Sequence, residues 1–420
     1  MATNTSLLST TSRVETPFIG LRIGESTFGI YDKNVINSKN SNISARVKYP
    51  NYMTALTVEK INGAVNNYTI NLKYAIRAGD DPNFIDKVLS SISDNWRISI
   101  SYGDMSAPSF IFREESALIN NIRRSVDINS SVITYTITAV SESVLAKAGN
   151  FTFQRAIAKP SDKIKEILYN KAYGLQDIFY GMRDLETVLT KGLIAGDDAV
   201  VTIEEKRNID LFSYLNYLVS CMSPISSSVG YSGRYSLVVY DDLTSEFGGP
   251  YFKVTRLAAN IQDTSVYNMY EIDIGYPGNT LVTNLQIEDN EAYSLYQKYS
   301  EKIQQPEYIY RIDNEGNTVV EYSPALTRST NLLKTTQADK VWWDTMLQYS
   351  ISASITVKGL LRPALLMQYI KLNVLFYGQK HNTSGIYAIT KQVDQVDING
   401  YRTTLSLLRI PESQTGNPIL

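Results

Sequence analysis

Cys221 and His381 are the only cysteine and the only histidine among 420 residues. One of each rules out an intrachain disulfide and every Cys/His zinc set that a single chain could assemble. A thiol–imidazole pair would need these two residues to meet across the fold; the plainer reading is a small buried hydrophobe and a surface imidazole. Phosphate cradles fail on spacing: no G-x-x-x-x-G-K-[ST] occurs, and Gly20, Gly24 and Gly29 miss the G-x-G-x-x-G pattern. Gly230-Tyr-Ser-Gly233 falls short of a nucleophile elbow and sits in a Ser/Gly-rich stretch. Asp197-Asp198 and Asp241-Asp242 lack the alternating oxygen ligands of a calcium loop. Paired carboxylates survive the elimination, because glycoside hydrolysis needs only two acids close together and the chain has 42. Glu114-Glu115 and Glu204-Glu205 read as solvated strand or loop faces. The expectation is a protein without catalytic residues, metal ligands or a bound cofactor, and not an enzyme.

Composition agrees with a packed, mainly structural molecule. Hydrophobic residues make up 43% and charged residues 20%, a globular balance, and 420 residues call for more than one core. With 40 basic against 42 acidic side chains, no global field favours nucleic acid, and Arg123-Arg124 is too small a basic cluster to recognise it specifically. No stretch reaches the ~20 apolar residues of a bilayer span, so membrane insertion is not expected. Thirty tyrosines stand out against 12 Phe and 3 Trp. Such residues suit half-buried strands and protein interfaces, where an apolar ring carries a wet hydroxyl.

Periodicity divides the chain. Residues 1–148 read as a β-barrel domain: strands run from Phe18 to Tyr31 with a turn at Gly24-Glu25, and a hairpin folds across Asn62-Gly63-Ala64 with Ile70, Leu72, Tyr74 and Ile76 on one face. Asp81-Pro82 opens a short helix, followed by Trp96–Tyr102, Ser109–Arg113 and Val132–Ala139. Residues 149–260 read as a helical and mixed α+β insert. Ser161 is the expected N-cap of a helix carrying Ile164, Ile167 and Leu168, and Ile209–Met222 is apolar nearly all round, as a core helix would be. Residues 261–345 read as a mixed linker contributing strands to a second barrel, with a hairpin of Tyr308–Ile312 and Thr318–Tyr322. Glu288–Gln305, with Tyr293, Tyr296 and Tyr299, fits either a helix or an extended arm. Residues 346–420 read as a C-terminal barrel built on strands at Ala353–Gly359, Tyr369–Tyr377, Gly385–Ile398 and Tyr401–Ile410, the last two joined at Asn399-Gly400.

The order of these last strands, with "Gly, x, Tyr, x, Ile" at Gly385–Ile389 and "Tyr, x, Thr, x, Leu, x, Leu, x, Arg" at Tyr401–Arg409, resembles the closing strands of phage tail baseplate hub proteins. That group includes the hub portion of type VI secretion spikes. The resemblance implies a mainly β fold with α+β inserts: two tail-tube-like β-barrels joined by mixed helical and strand domains. It implies a homotrimer in the virion tail baseplate, made in the host cytoplasm, linking tail tube to spike and lining the channel for DNA. Partners would be the tail tube protein, a spike or tail-tip protein, baseplate wedge proteins and the tape measure protein. Barrel core and ring contacts would fall on Ile370, Leu372, Val374, Tyr387, Ile389, Leu405 and Leu407. A distal-tail or receptor-binding (adhesin) subunit is the main alternative, and a cell-wall glycan hydrolase a further one.

Overall fold

The computed structural model describes residues 17–24, 26–30, 52–90, 97–104, 111–222, 235–243, 245–256, 268–274, 282–289, 308–312, 318–322, 351–358, 366–397 and 400–409. The chain is mainly β. Seven strands come first: β1 (Pro17–Ile23), β2 (Ser26–Ile30), β3 (Met53–Ile61), β4 (Asn67–Ala75), β5 (Arg97–Asp104), β6 (Ile111–Asp127) and β7 (Val132–Ser141). Alternation puts Leu56 and Val58 of β3, Ile70 and Leu72 of β4, and Ile98 and Ile100 of β5 into one apolar core. The sheet curls until β2 returns against the start of β3, where the Phe28 and Tyr52 rings meet edge-on at 6.3 Å. The helix Phe84–Ser90 crosses this core with Ile85, Val88 and Leu89 buried. Strand β6 is far longer than the Ser109–Arg113 segment expected for it, because its polar residues hide the alternation.

The second unit contains β8 (Phe151–Phe153), β9 (Ala156–Ala158), β10 (Val201–Ile203), β11 (Lys206–Ile209), β12 (Tyr235–Tyr240) and β13 (Tyr251–Arg256), paired two by two, with helices between them. Helix Leu211–Cys221 is its axis, burying Leu211, Phe212, Tyr214, Leu215, Leu218, Val219 and Cys221, as expected of a core helix. Asp210 caps it by accepting from Ser213 N at 2.8 Å. Helix Pro160–Tyr169 buries Ile164, Ile167 and Leu168, but Ser161 is not its N-cap. Pro160 occupies the first turn, so Ser161 lies inside the helix and is itself held by Asp198, which accepts from Ser161 N at 2.9 Å and from its hydroxyl at 2.5 Å.

The remaining strands are β14 (Asn268–Ile274), β15 (Val282–Asp289), β16 (Tyr308–Ile312), β17 (Thr318–Tyr322), β18 (Ile351–Lys358), β19 (Tyr369–Phe376), β20 (Gln379–Lys380), β21 (Gly385–Asp397) and β22 (Gly400–Arg409). β16 and β17 pair across residues 313–317 as the sequence indicates. Asp397 pairs with Gly400, so the loop between the last strands is residues 398–399, one position earlier than Asn399-Gly400; both lie outside the described residues. Within Glu288–Gln305, Glu288 and Asp289 end β15, while Tyr293, Tyr296 and Tyr299 fall outside the described residues. β14 pairs parallel with β19 and β15 pairs antiparallel with β18, so the C-terminal meander widens to six strands in the order β15-β18-β22-β21-β19-β14.

Strand β21 joins the two ends of the chain. Its first part pairs with β19 through residues 385–388, and its last part, Lys391–Asp397, pairs with β3 through Ala55–Ile61. β22 runs along its other edge throughout. Between the two parts a bulge inserts one extra residue, since Ile389 faces Leu407 and Lys391 faces Ser406. Before the bulge residues 385–389 are all buried, and after it burial alternates at Gln392, Asp394 and Val396. β22 keeps unbroken alternation opposite: Tyr401 packs into the N-terminal core, Leu405 and Leu407 into the C-terminal one.

Leu405 is fully buried in that C-terminal core. Leu405→Asp places an unpaired carboxylate there and should cost about 4 kcal/mol, read as a lower denaturant midpoint; an unchanged midpoint would contradict this register.

Candidate functional site

The seven positions singled out in the C-terminal strands, Ile370, Leu372, Val374, Tyr387, Ile389, Leu405 and Leu407, are all buried and share one core cluster, against which Val238 of β12 also packs. Cys221 is buried at the end of its helix, whereas His381 is exposed beyond β20, its Nδ1 at 2.8 Å from Thr383 Oγ1. Arg124 pairs with Asp86 at 2.6 Å on the outer part of β6.

Glu114-Glu115 overturns the expectation of a solvated pair. Glu114 is partly buried and accepts from Arg22 at 3.2 Å, while Glu115 is 1% exposed. Residue 115 falls on the same inward face of β6 as Ala117, so the strand's own alternation carries the carboxylate inside. The same rule places Lys60 inward after Leu56 and Val58, Tyr68 before Ile70 and Leu72, and Tyr102 after Ile98 and Ile100. These four lie at one end of the barrel. Together they form a polar plug on an otherwise apolar core.

Within the plug, the ammonium of Lys60, 2% exposed, forms a salt bridge with Glu115 and lies 3.3 Å from the Tyr102 hydroxyl. Tyr102 donates to Glu115 Oε1 at 2.7 Å and Tyr68 donates to Oε2 at 2.8 Å. From the second unit comes Asp241, at the end of β12 and 1% exposed. Its Oδ2 accepts from Asn66 Nδ2 at 2.7 Å and lies 3.0 Å from the Tyr68 hydroxyl; its Oδ1 accepts from Ser141 Oγ at 2.5 Å. Main-chain bonds run beside these contacts: Ser116 N donates to Asp241 O at 3.1 Å and Leu243 N to Glu114 O at 2.8 Å. From the C-terminal unit comes Asp394, 1% exposed, accepting from Gln392, Tyr401 and Thr403 at 2.7, 2.9 and 2.6 Å. Gln392 sits opposite Lys60 in the β3–β21 ladder.

Burial raises both Asp241 and Asp394 above the ordinary aspartate range, Asp241 to about 6, with the charge of Glu115 adding to the effect. The Tyr68 hydroxyl is pushed well up by burial and by the Asp241 and Glu115 charges beside it. Such shifts mark many active sites. Here every charged member is at most 2% exposed, so no substrate can reach it, and what the arrangement can do is tie three parts of the chain together and hold protons.

A second junction lies alongside. Gly63 adopts φ +68° at the tip of the β3–β4 hairpin, where it donates to Leu237 O at 2.8 Å and accepts from Asn216 Nδ2 at 2.9 Å. A side chain there would meet Asn216 at 3.0 Å. Leu237 and Val239 face the core of the second unit and Val238 the C-terminal core, so β12 is a wall between the two. Among the described residues no group of acids, histidines or cysteines is placed to hold a metal, and no helix is long and apolar enough to cross a membrane.

No protein-family model matches this sequence, and no curated protein matches it either. Solved structures do. The chain is similar to the 43 kDa tail protein of prophage MuSo2 from Shewanella oneidensis, with 94% of this chain and 99% of that chain covered, 10% identity and a TM-score of 0.50. A tail protein from Neisseria meningitidis MC58 covers 94% of this chain and 96% of its own at 9% identity, TM-score 0.46. An E. coli component of the type VI secretion system, described as similar to T4 bacteriophage tail proteins, covers 89% and 78% at 8% identity, TM-score 0.41. At such identities the likeness is one of fold: this chain has the fold of the MuSo2 tail protein over almost the whole of both molecules.

Lys60→Met leaves Glu115 buried without its cation and should destabilise the chain by about 3–5 kcal/mol. Adding Glu115→Gln should recover part of that loss; additive losses in urea titrations of the single and double variants would show that the two groups do not act as a pair.

Proposed function

We propose that this chain is a non-catalytic structural subunit of a phage-type tail, and within the tail a baseplate hub protein on the central axis. The observation that carries the reading is the end-to-end match with the MuSo2 tail protein, covering 94% of this chain and 99% of the other. A match of this extent concerns the whole architecture, not one portable domain.

Two features of the fold support the finer placement. The chain carries two β-rich units, one from each end of the sequence, fused through β21 and β22. Three chains would present six such units, which lets a threefold spike meet a sixfold tube without a symmetry gap. In this arrangement the subunit touches the tail tube protein above and the spike or tail-tip protein below, with wedge proteins outside and the tape measure protein and then DNA passing through the channel. The buried plug fits the same role, since a subunit that transmits load between tube and spike is served by cores that cannot shear past one another. The seven buried positions of the C-terminal strands are the scaffold of its ring-forming unit.

Electron cryo-microscopy of intact tails labelled on this chain tests the reading. The expected result is three copies closing a ring on the tail axis between tube and spike. Six copies, or copies projecting from the periphery, would overturn it and favour a distal-tail or receptor-binding role.

A further inference from the structure

Tyr68 has one hydroxyl proton and two carboxylates to serve. Its oxygen lies 2.8 Å from Glu115 Oε2 and 3.0 Å from Asp241 Oδ2, and all three side chains are buried. The proton can satisfy only one of them. If both acids were ionised, the phenol oxygen would face a carboxylate oxygen across a hydrogen-bond distance with no hydrogen between, in a medium that screens charge poorly. A proton on Asp241 Oδ2 removes the conflict. Asp241 then donates to Tyr68, Tyr68 donates to Glu115, and Glu115 also receives Tyr102 and the Lys60 ammonium. Oδ2 still accepts from Asn66, and Oδ1 from Ser141. Every proton in the chain has one place.

We infer that Asp241 is a neutral carboxylic acid when the plug is closed, and that this proton makes the plug a pH-responsive lock: tightest in weak acid, looser as the solution becomes neutral. The charged and titratable groups around it are consistent with that assignment. Lys60 from β3 is the cation that reaches the centre, and it is committed to Glu115 from β6. Asp394 from β21 is a further buried acid within the field of Lys60. Glu142, which follows β7, is held by Arg97 at 2.7 Å and by Ser116. Asp242 is buried beside Asp241, and Tyr68 and Tyr102 are the facing phenols. Among the described residues of this group acids outnumber cations, so the closed state has reason to retain a proton that the open state loses to water.

The direction follows from where Asp241 titrates. Its midpoint is about 6 in the fold against an ordinary 3.8, so between these values the folded chain holds a proton that the unfolded chain has released. The stabilisation is complete below the lower value and is lost as pH rises through the upper one. Exposed acids such as Asp81, Asp127 and Asp184, whose hydrogen bonds hold them below the usual range, work in the opposite sense. Comparison with Asp241→Asn therefore isolates this group. In urea titrations from pH 4.5 to 7.5, the folding constant of the native sequence divided by that of Asp241→Asn should fall by up to about tenfold per pH unit below about 6, then level off. Two further readouts do not depend on that variant folding. The native chain carrying 13C-labelled aspartate should show the infrared carbonyl band of a protonated aspartic acid at pH 5 that disappears with a midpoint near 6. Tyr68→Phe, which removes both the oxygen that accepts the Asp241 proton and the conflict that an ionised Asp241 meets there, should move that midpoint downward. A stability ratio that does not change with pH, no protonated aspartate band at pH 5, or a midpoint unmoved by Tyr68→Phe would each overturn the assignment.

Discussion

A β-strand shows alternate side chains to opposite faces, and β21 has to keep the same phase with β22 while its other edge changes partner from β19 to β3. The rest of the architecture depends on how that constraint is met. The extra residue between Ile389 and Lys391 shifts the positions opposite the buried face of β22 from odd to even numbers, with Ile389 facing Leu407 before it and Gln392, Asp394 and Val396 facing Leu405, Thr403 and Tyr401 after it, and these β22 residues remain buried in unbroken alternation. One pair of strands thereby lines two cores. The units at the two ends of the chain are consequently fused by ladder hydrogen bonds and do not hang on a linker.

The plug addresses the other side of the same problem. Beyond the bulge the buried residues of β21 are Gln392 and Asp394 as well as Val396; Gln392 stands opposite Lys60, whose ammonium goes to Glu115, and Asp394 lies in the field of Lys60. Burying these charges is a poor route to stability, because desolvation of an ion pair consumes most of its Coulombic gain and a well-packed apolar replacement often does as well. What hydrogen bonds add over apolar contact is direction. An apolar plug could slide by a residue and still be buried, whereas Ser141, Asn66 and Tyr68 converge on Asp241 in one alignment. The network therefore fixes how the second unit sits on the sheet, while the apolar clusters supply the free energy of burial.

Much of this was legible in the sequence, and the remainder was hidden for physical reasons. The hairpins at Asn62-Gly63 and across residues 313–317, the core helix at Leu211–Cys221 and the four C-terminal strands follow from alternation and turn residues alone. The plug was misread because charged pairs are usually solvated, a rule about composition that ignores phase. The signal was present: Lys60 continues Leu56 and Val58 at spacing two, and Glu115 stands two residues before Ala117. Spacing of this kind argues that a charge faces inward even when its type argues otherwise. The bulge at Thr390 and the pairing of β21 with β3 had no such signal, since partners more than three hundred residues apart are chosen by tertiary packing.

If β21 and the plug bind the three units into one cooperative structure, they should open together. Native-state hydrogen exchange tests this directly: amides of Val58 and Lys60 in β3, Val393 in β21, and Val238 and Val239 in β12 should exchange with a single free energy equal to that of global unfolding. Exchange from β21 or β12 at a clearly lower free energy than from β3, with β3 protection unchanged, would show units that open independently and would contradict the account.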